Sequence, residues 1–343
     1  MILHFQFSMR SLYFLLPGTT QSFFCGGLFA ELKAMRLAQQ VCSAEVVTYR
    51  QREADHLFLE DVLRSPTPNA IFVVSWGFDV PKLASKLRGR SVIYHAHSAN
   101  YGFTLPAEIP IITVSRNTLG YWGQLAPTSL LYYLPNQISD EFTNRGGDRE
   151  IDVLVHARKS SQYLMQHLVP ALRSHCRVEV IEGFVPDLAE LFNRSRVYLY
   201  DSAEYWATQG VTEGFGLQPL EAIACGCQVF SSVNHGLSDY LDPGFNCHKI
   251  AGCSLEFDRD RILKVIKKFQ PIAFPANFLA EYRVANILHR WQVILAEVND
   301  FFDHQQVHQR SQQQLIAPLT KSRVLQLRFQ RLMAKVRSKL GRS

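Results

Sequence analysis

Short apolar runs alternate with helical patterns along the first half of the chain. Runs at 12–16, 45–48, 71–75, 92–95, 111–114 and 130–134 are rich in Val, Ile, Phe and Tyr and nearly continuous in apolar character. Strands covered on both faces read this way. The segments between them, such as 28–41 and 80–87, repeat apolar residues at helical spacing. The pattern restarts with a strand at 151–156 and a helical stretch to Arg173. Strands at 178–181, 197–200 and 228–231 and a short helix at 188–193 follow. Further helices are predicted at 261–269 and 279–302. The second of these carries Ile287, Leu288, Trp291, Ile294, Leu295 and Val298 on one stripe. Alternating strand and helix predicts an α/β fold of doubly wound parallel sheets. A polar, glycine-bearing stretch at 143–149 reads as a linker. The expected domains are therefore 1–142 and 150–302, with a terminal segment at 303–343.

One stretch, 211–231, organises the second half. It holds two carboxylates, Glu213 and Glu221, separated by Gly214, Phe215 and Gly216, then by Leu217 and Pro219. Glycines let backbone N–H groups approach a ligand. Proline suits the first helical turn, and a helix N-terminus seats phosphate. One carboxylate precedes an anion-binding loop, and the other lies on the helix after it. A ligand with hydroxyls at both ends and phosphates between them fits, which describes a nucleotide-sugar.

From Glu213 through Val229 the chain resembles the E-x7-E signature of retaining glycosyltransferases of the GT-B fold, family 4, also called group 1. The resemblance implies two Rossmann-like domains facing across a cleft, with a late helix returning to the first. It implies an acceptor-side first domain and a second domain that binds the nucleotide-sugar. Glu213 would hold sugar hydroxyls and Glu221 the ribose hydroxyls. The amides of Gly214, Phe215, Gly216 and Leu217 would face the diphosphate, as would Arg158 and Lys159. The nucleotide base would lie against the backbone near Val185. Gly26 and Gly27, which open a helix after the first strand, match the family's glycine-rich loop. A histidine at the end of the strand near 95 would bond the donor sugar, with His97 the first choice and His95 the second. Two departures stand out: Gln137 replaces a usual glycine after Pro135-Asn136, and Arg158 and Lys159 are adjacent rather than separated. Tyr205 and Trp206 either stack on a sugar ring or pack in the core. No cofactor and no metal are expected; the nucleotide-diphosphate sugar is substrate. The rival readings are a phosphorylase or glycogen-synthase-like enzyme of the same fold and a non-catalytic GT-B module that binds a nucleotide-sugar or a partner. A Rossmann dehydrogenase is disfavoured, since no G-x-G-x-x-G follows the first strand.

Composition changes this picture at one end only. The chain has 343 residues and a net charge of +6. Eight of its 36 Lys and Arg lie in 319–343 without an acid, leaving 28 basic against 30 acidic residues elsewhere. The globular part therefore carries no nucleic-acid footprint. In the tail, Leu325, Phe329, Leu332, Val336 and Leu340 recur at helical steps among the basic residues. A basic amphipathic helix of this kind lies on an anionic membrane; a packed or disordered tail is the alternative. Residues 305–314, rich in Gln and His, read as its tether. No apolar run approaches the roughly 20 residues of a spanning helix. Seven cysteines without regular spacing, and no export signal, point to reduced thiols in the cytosol. The expected location is cytoplasmic, either free or peripheral on the cytosolic membrane face, and the acceptor is a glycan, a lipid or a small molecule. Met9 is read as a second candidate initiator.

Overall fold

The computed structural model describes residues 10–65, 69–183, 185–250, 254–271, 274–275 and 277–307, together with 322–323, 325–326, 329–330 and 333. The chain divides into two units. One comprises Met1–His97, Tyr101–Gln137 and Val284–Thr320; the other comprises Ser98–Asn100, Ile138–Arg283 and Lys321–Ser343.

The first unit runs β1 (Ser11–Leu16), α1 (Gly26–Ala38), β2 (Ala44–Thr48), β3 (Leu57–Phe58), α2 (Leu59–Arg64), β4 (Ala70–Val74), α3 (Val80–Lys86), β5 (Ser91–Ala96), β6 (Ile111–Thr113), α4 (Arg116–Leu125) and β7 (Leu131–Tyr133). Its sheet has the order β3-β2-β1-β4-β5-β6-β7, with every pair parallel. The central strand β1 shows why the apolar runs are continuous. Leu12, Phe14 and Leu16 enter one core with Leu28 and Trp291, while Leu15 enters the opposite core with Phe72, Tyr94 and Trp122. The hydrophobic pattern does not announce β3 or α4. The two-residue β3 sits at the sheet edge with Leu57 exposed. The helix α4 buries only Thr118 and Trp122 and is set by its cap: Ser115 Oγ accepts from Thr118 N at 3.1 Å.

The second unit runs β8 (Ile151–His156), α5 (Val169–Arg173), β9 (Val178–Ile181), α6 (Leu188–Asn193), β10 (Ser195–Tyr200), α7 (Ala203–Gln209), α8 (Leu217–Ala224), β11 (Gln228–Ser231), β12 (His248–Lys249) and α9 (Leu255–Lys267). Its sheet has the order β12-β11-β10-β8-β9, again with every pair parallel. A π-helical turn, Leu164–Leu168, leads into α5, where Pro170 has no N–H for the ordinary helical bond.

Two boundaries differ from the sequence reading. The stretch 143–149 belongs to the second unit rather than linking domains. Arg149 is buried there and donates to the carbonyls of Phe192 (3.0 Å), Ser195 (2.6 Å) and Cys225 (2.6 Å) and to Asn144 Oδ1 (3.1 Å). None of these bonds is visible in polarity alone. The last described long helix, α10 (Val284–Val307), belongs to the first unit, as the family resemblance implies for a late helix. Ile287, Trp291, Ile294, Leu295, Val298 and Phe302 form its buried stripe against β1 and α1. Arg10, just before β1, donates to Asn299 O at 3.2 Å and Oδ1 at 3.1 Å and pairs with Asp303. Residues 305–307, expected as tether, are the last turn of this helix.

Candidate active site

In the second unit, β10 ends at Tyr200 and the chain returns through α7 to Glu213, at the carboxyl end of the sheet. Ligands of open parallel sheets bind at that end. Glu213 is only 3% exposed. A buried carboxylate needs donors, and three groups supply them. Tyr200 Oη and Trp206 Nε1 each donate to Oε2 at 2.6 Å. The ammonium of Lys159 stands 3.5 Å from Oε1 and 4.5 Å from the centre of the Trp206 ring. The tryptophan thus serves twice, through its N–H to the carboxylate and through its face to the lysine.

The loop after Glu213 is held by its neighbours. Gly236 N donates to Glu213 O at 3.0 Å, and a Cβ at Gly236 would stand 2.1 Å from Gly214 O. Gly216 caps α8 in the left-handed region with φ +75. A side chain there would also collide with Leu237. Tyr240 Oη donates to the carbonyls of Phe215 and Gly216. The backbone at 211–212 is fixed from residues 98–100: Ser98 Oγ donates to Thr212 O at 2.6 Å, and Ala99 N to Thr212 Oγ1 at 3.0 Å. Glu221 follows on α8 and is buried. One carboxylate therefore precedes the helix start and one follows it, as the spacing predicts.

Backbone strain gathers here. Among the described residues, non-glycine positive φ occurs at Asn100, Lys159, Val233 and His235. Lys159 and His235 both touch Glu213, His235 through Nδ1 at 3.4 Å from Glu213 N. Left-handed geometry at a β-branched residue such as Val233 costs energy and persists where the surroundings hold it, most often at functional sites. Burial lowers the His235 pKa, opposed by Glu213.

The remaining expected residues fall as follows. Arg158 is exposed, so its guanidinium is available to an anion but is not preset. Val185 is half-buried beyond β9. Gly26 and Gly27 form the first turn of α1 in the first unit, with open space where a Cβ on Gly26 would lie. His95 and His97 lie on and just beyond β5, and both face Glu31 of α1. Its Oε2 is 2.6 Å from His95 Nδ1 and 2.6 Å from His97 Nε2. Sequence reasoning missed Glu31. One signal was present: Glu31 shares the buried face of α1 with Leu28, Met35 and Ala38, and an acid on an apolar stripe requires a partner. The ligand-type atoms of the three residues lie within 4.8 Å of one another, the one such group among the described residues. Burial raises the Glu31 pKa, but the two imidazoles outweigh it and hold the group down at about 2. Burial lowers the His97 pKa, aided by His95 and opposed by Glu31.

Two parallel-sheet α/β units of seven and five strands, with this loop at the carboxyl end of the second sheet, make up the GT-B glycosyltransferase architecture. Residues 161–267 match the model of glycosyl transferases group 1. Similar solved structures include Anabaena Alr3699/HepE in complex with UDP, at 16% identity over 87% of this chain and 98% of that one, with a TM-score of 0.54. They also include the pneumococcal O-GlcNAc transferase GtfA with UDP and GlcNAc, at 10% identity over 84% of this chain and 99% of that one, with a TM-score of 0.58. A third is sucrose-phosphate synthase from Thermosynechococcus elongatus, at 10% identity over 88% of this chain and 100% of that one, with a TM-score of 0.53. The sequence matches no curated protein.

Proposed function

We propose that this chain is a retaining glycosyltransferase of family 4 that moves a sugar from a nucleotide-diphosphate sugar, a UDP-sugar by analogy with the relatives above, to a glycan or lipid acceptor. The observation that carries the reading is Glu213: a buried carboxylate held by Tyr200, Trp206 and Lys159 immediately before the N-terminus of α8. The Gly214–Leu217 loop and the helix start receive the diphosphate through backbone N–H groups and the helix dipole. Lys159 and Arg158 add positive charge as the leaving group gains negative charge. Glu213 orients sugar hydroxyls beneath the developing oxocarbenium ion, and Glu221 binds the ribose hydroxyls. The C1–O bond to phosphate breaks and the acceptor oxygen bonds C1 on the same face. The acceptor proton passes to the departing diphosphate. Side-chain cations and the helix start carry the charge, so the reaction needs no metal and no cofactor.

The acceptor side and location follow from the tail. Of the apolar positions expected on its stripe, Leu325 and Phe329 are described, and they are helical and 68% and 61% exposed; Leu332, Val336 and Leu340 lie outside the described residues. Met333, four residues after Phe329, is also exposed. Among the described residues no helix is long and apolar enough to cross a membrane. The tail then lays this enzyme on the cytosolic face of an anionic membrane, with a lipid-borne acceptor within reach.

The test is transfer from a panel of nucleotide-sugars in excess EDTA, with the product anomer read by NMR. The donor anomer should be kept. Glu221→Gln should raise KM for the donor, whereas Glu213→Gln should mainly lower kcat. An inverted product would remove the retaining assignment. Unchanged turnover in both variants would remove the catalytic one.

A further inference from the structure

The Glu31–His95–His97 group lies outside the carboxylate site of the second unit, and the chemistry proposed above leaves Glu31 without a task. We propose that Glu31 is a positioning residue: its carboxylate sets the tautomer and orientation of His97, so that His97 presents a bare Nδ1 as acceptor to a hydroxyl of the sugar substrate. The inference rests on the glycosyltransferase reading for the identity of the substrate, but not for the state of the histidine.

The geometry settles where the hydrogens lie. A single oxygen, Glu31 Oε2, is 2.6 Å from His95 Nδ1 and 2.6 Å from His97 Nε2. An ionised carboxylate only accepts, so both nitrogens facing it carry hydrogen. Glu31 is ionised throughout the neutral range, with its pKa held at about 2. A neutral imidazole has one N–H. With that hydrogen on Nε2, Nδ1 of His97 is an acceptor. Of the three side chains, only His97 has an opening to a ligand: it is 15% exposed, against 1% for His95 and Glu31. His95 holds the arrangement from behind. Its ring centre is 4.3 Å from that of His97 and 6.2 Å from Trp291 of α10. Each of the three residues comes from a rigid element or its end: α1, β5 and the residue following β5.

A divalent metal in the same place fits less well. Metal on His95 Nδ1 would move that ring's hydrogen to Nε2. That atom is buried without a partner, whereas a ligating histidine usually donates its second N–H to an acceptor. Two N–H groups satisfy Oε2 of Glu31 without an ion, and Oε1 is buried without a partner.

The experiment reads the tautomer directly, by long-range 1H–15N NMR of the full chain with labelled histidine, without substrate. The expected spectrum at pH 7 has His97 neutral, with hydrogen on Nε2 and a bare Nδ1. In Glu31→Gln the neutral amide oxygen accepts more weakly than the carboxylate, so the His97 signal should shift toward the other tautomer. In transfer assays at a temperature where the variant is folded, Glu31→Gln should lower kcat at least tenfold. It should also move the acid limb of the kcat/KM profile to lower pH, because Glu31 opposes the lowering of the His97 pKa. Glu31→Asp keeps the charge and should recover part of the loss. Should Glu31→Gln fail to fold, the wild-type spectrum alone decides. A bare Nε2 at His97, a cationic ring at pH 7, or zinc that stays on both rings through dialysis would overturn the proposal. So would an unchanged kcat and pH profile in Glu31→Gln. If no nucleotide-sugar is turned over while the tautomer is as stated, it is the function that fails and not the placement of the hydrogens.

Discussion

Glu213 gathers a hydroxyl, an indole N–H and an ammonium, and hydrogen bonds to a charged group contribute about 1.5–3 kcal/mol each. Tyr200→Phe removes one donor and keeps the ring; Trp206→Phe removes the other and keeps an aromatic face, though a smaller one, for Lys159. Each should lower transfer by about tenfold or more, and the double variant by less than the product, because both act on Oε2. Steady-state kinetics of the three variants checks this; independent effects would show that Glu213 is not the shared target. Acid sensitivity also belongs at this scale. The His97 pKa is below its usual value in the folded chain. The unfolded chain therefore takes up a proton below about pH 6.5 that the folded chain resists, and stability falls as pH falls from there. Glu31, held at about 2, contributes stability that is present above about pH 4.5 and is lost between there and about pH 2. His97→Gln should flatten the first decline. Burial lowers His156, His235 and His248 too, so the slope between pH 6.5 and 5 should shrink without vanishing. Denaturant titrations at several pH values measure it. The two glutamates were legible at residue scale because their spacing spans a loop and a helix start. Glu31 was not, because its partners lie 64 and 66 residues away.

Strands and helices were legible wherever burial is on both faces or along one stripe. The run at 151–156 and the strand at 228–231 coincide with β8 and β11, since a central parallel strand has no polar face to blur the signal. Elements set by capping or by an edge position, α4 and β3, carry no such pattern. The apolar stripe of α10 predicts a half-buried helix but not its address. The family resemblance implies a return to the first unit, and the packing of Trp291 against Phe14 and His95 places it there. Trp291 is fully buried, and Trp291→Ala should destabilise that unit by about 3–5 kcal/mol. Urea unfolding should show the loss in the midpoint. A change below about 1 kcal/mol would mean that α10 is not integral to the core.

At the scale of the whole molecule, the charge is concentrated where the fold ends. Full-length chain should co-sediment with anionic vesicles and release with salt; a form ending at Pro318 should not, and neutral vesicles should bind neither. Equal behaviour of the two forms would leave a soluble acceptor as the reading. Saturating the correct donor, at a hundred times its dissociation constant, should stabilise the chain by about 2.7 kcal/mol, which a thermal shift screen resolves.

Hydrophobic periodicity by itself determined that this protein has parallel, doubly wound sheets, and one filled motif determined the loop and helix around Glu213 and Glu221. Both are local: period, turn residues and helix start act over a few neighbours in the chain. The tertiary structure alone decided that 143–149 is anchored by Arg149, that Lys159 stands against Glu213 and Trp206, and that Glu31 lies between two histidines. Each of these is a buried polar or apolar group whose partner comes from a distant element. Burial makes the pairing necessary, and the order of strands in the sheet chooses the partner.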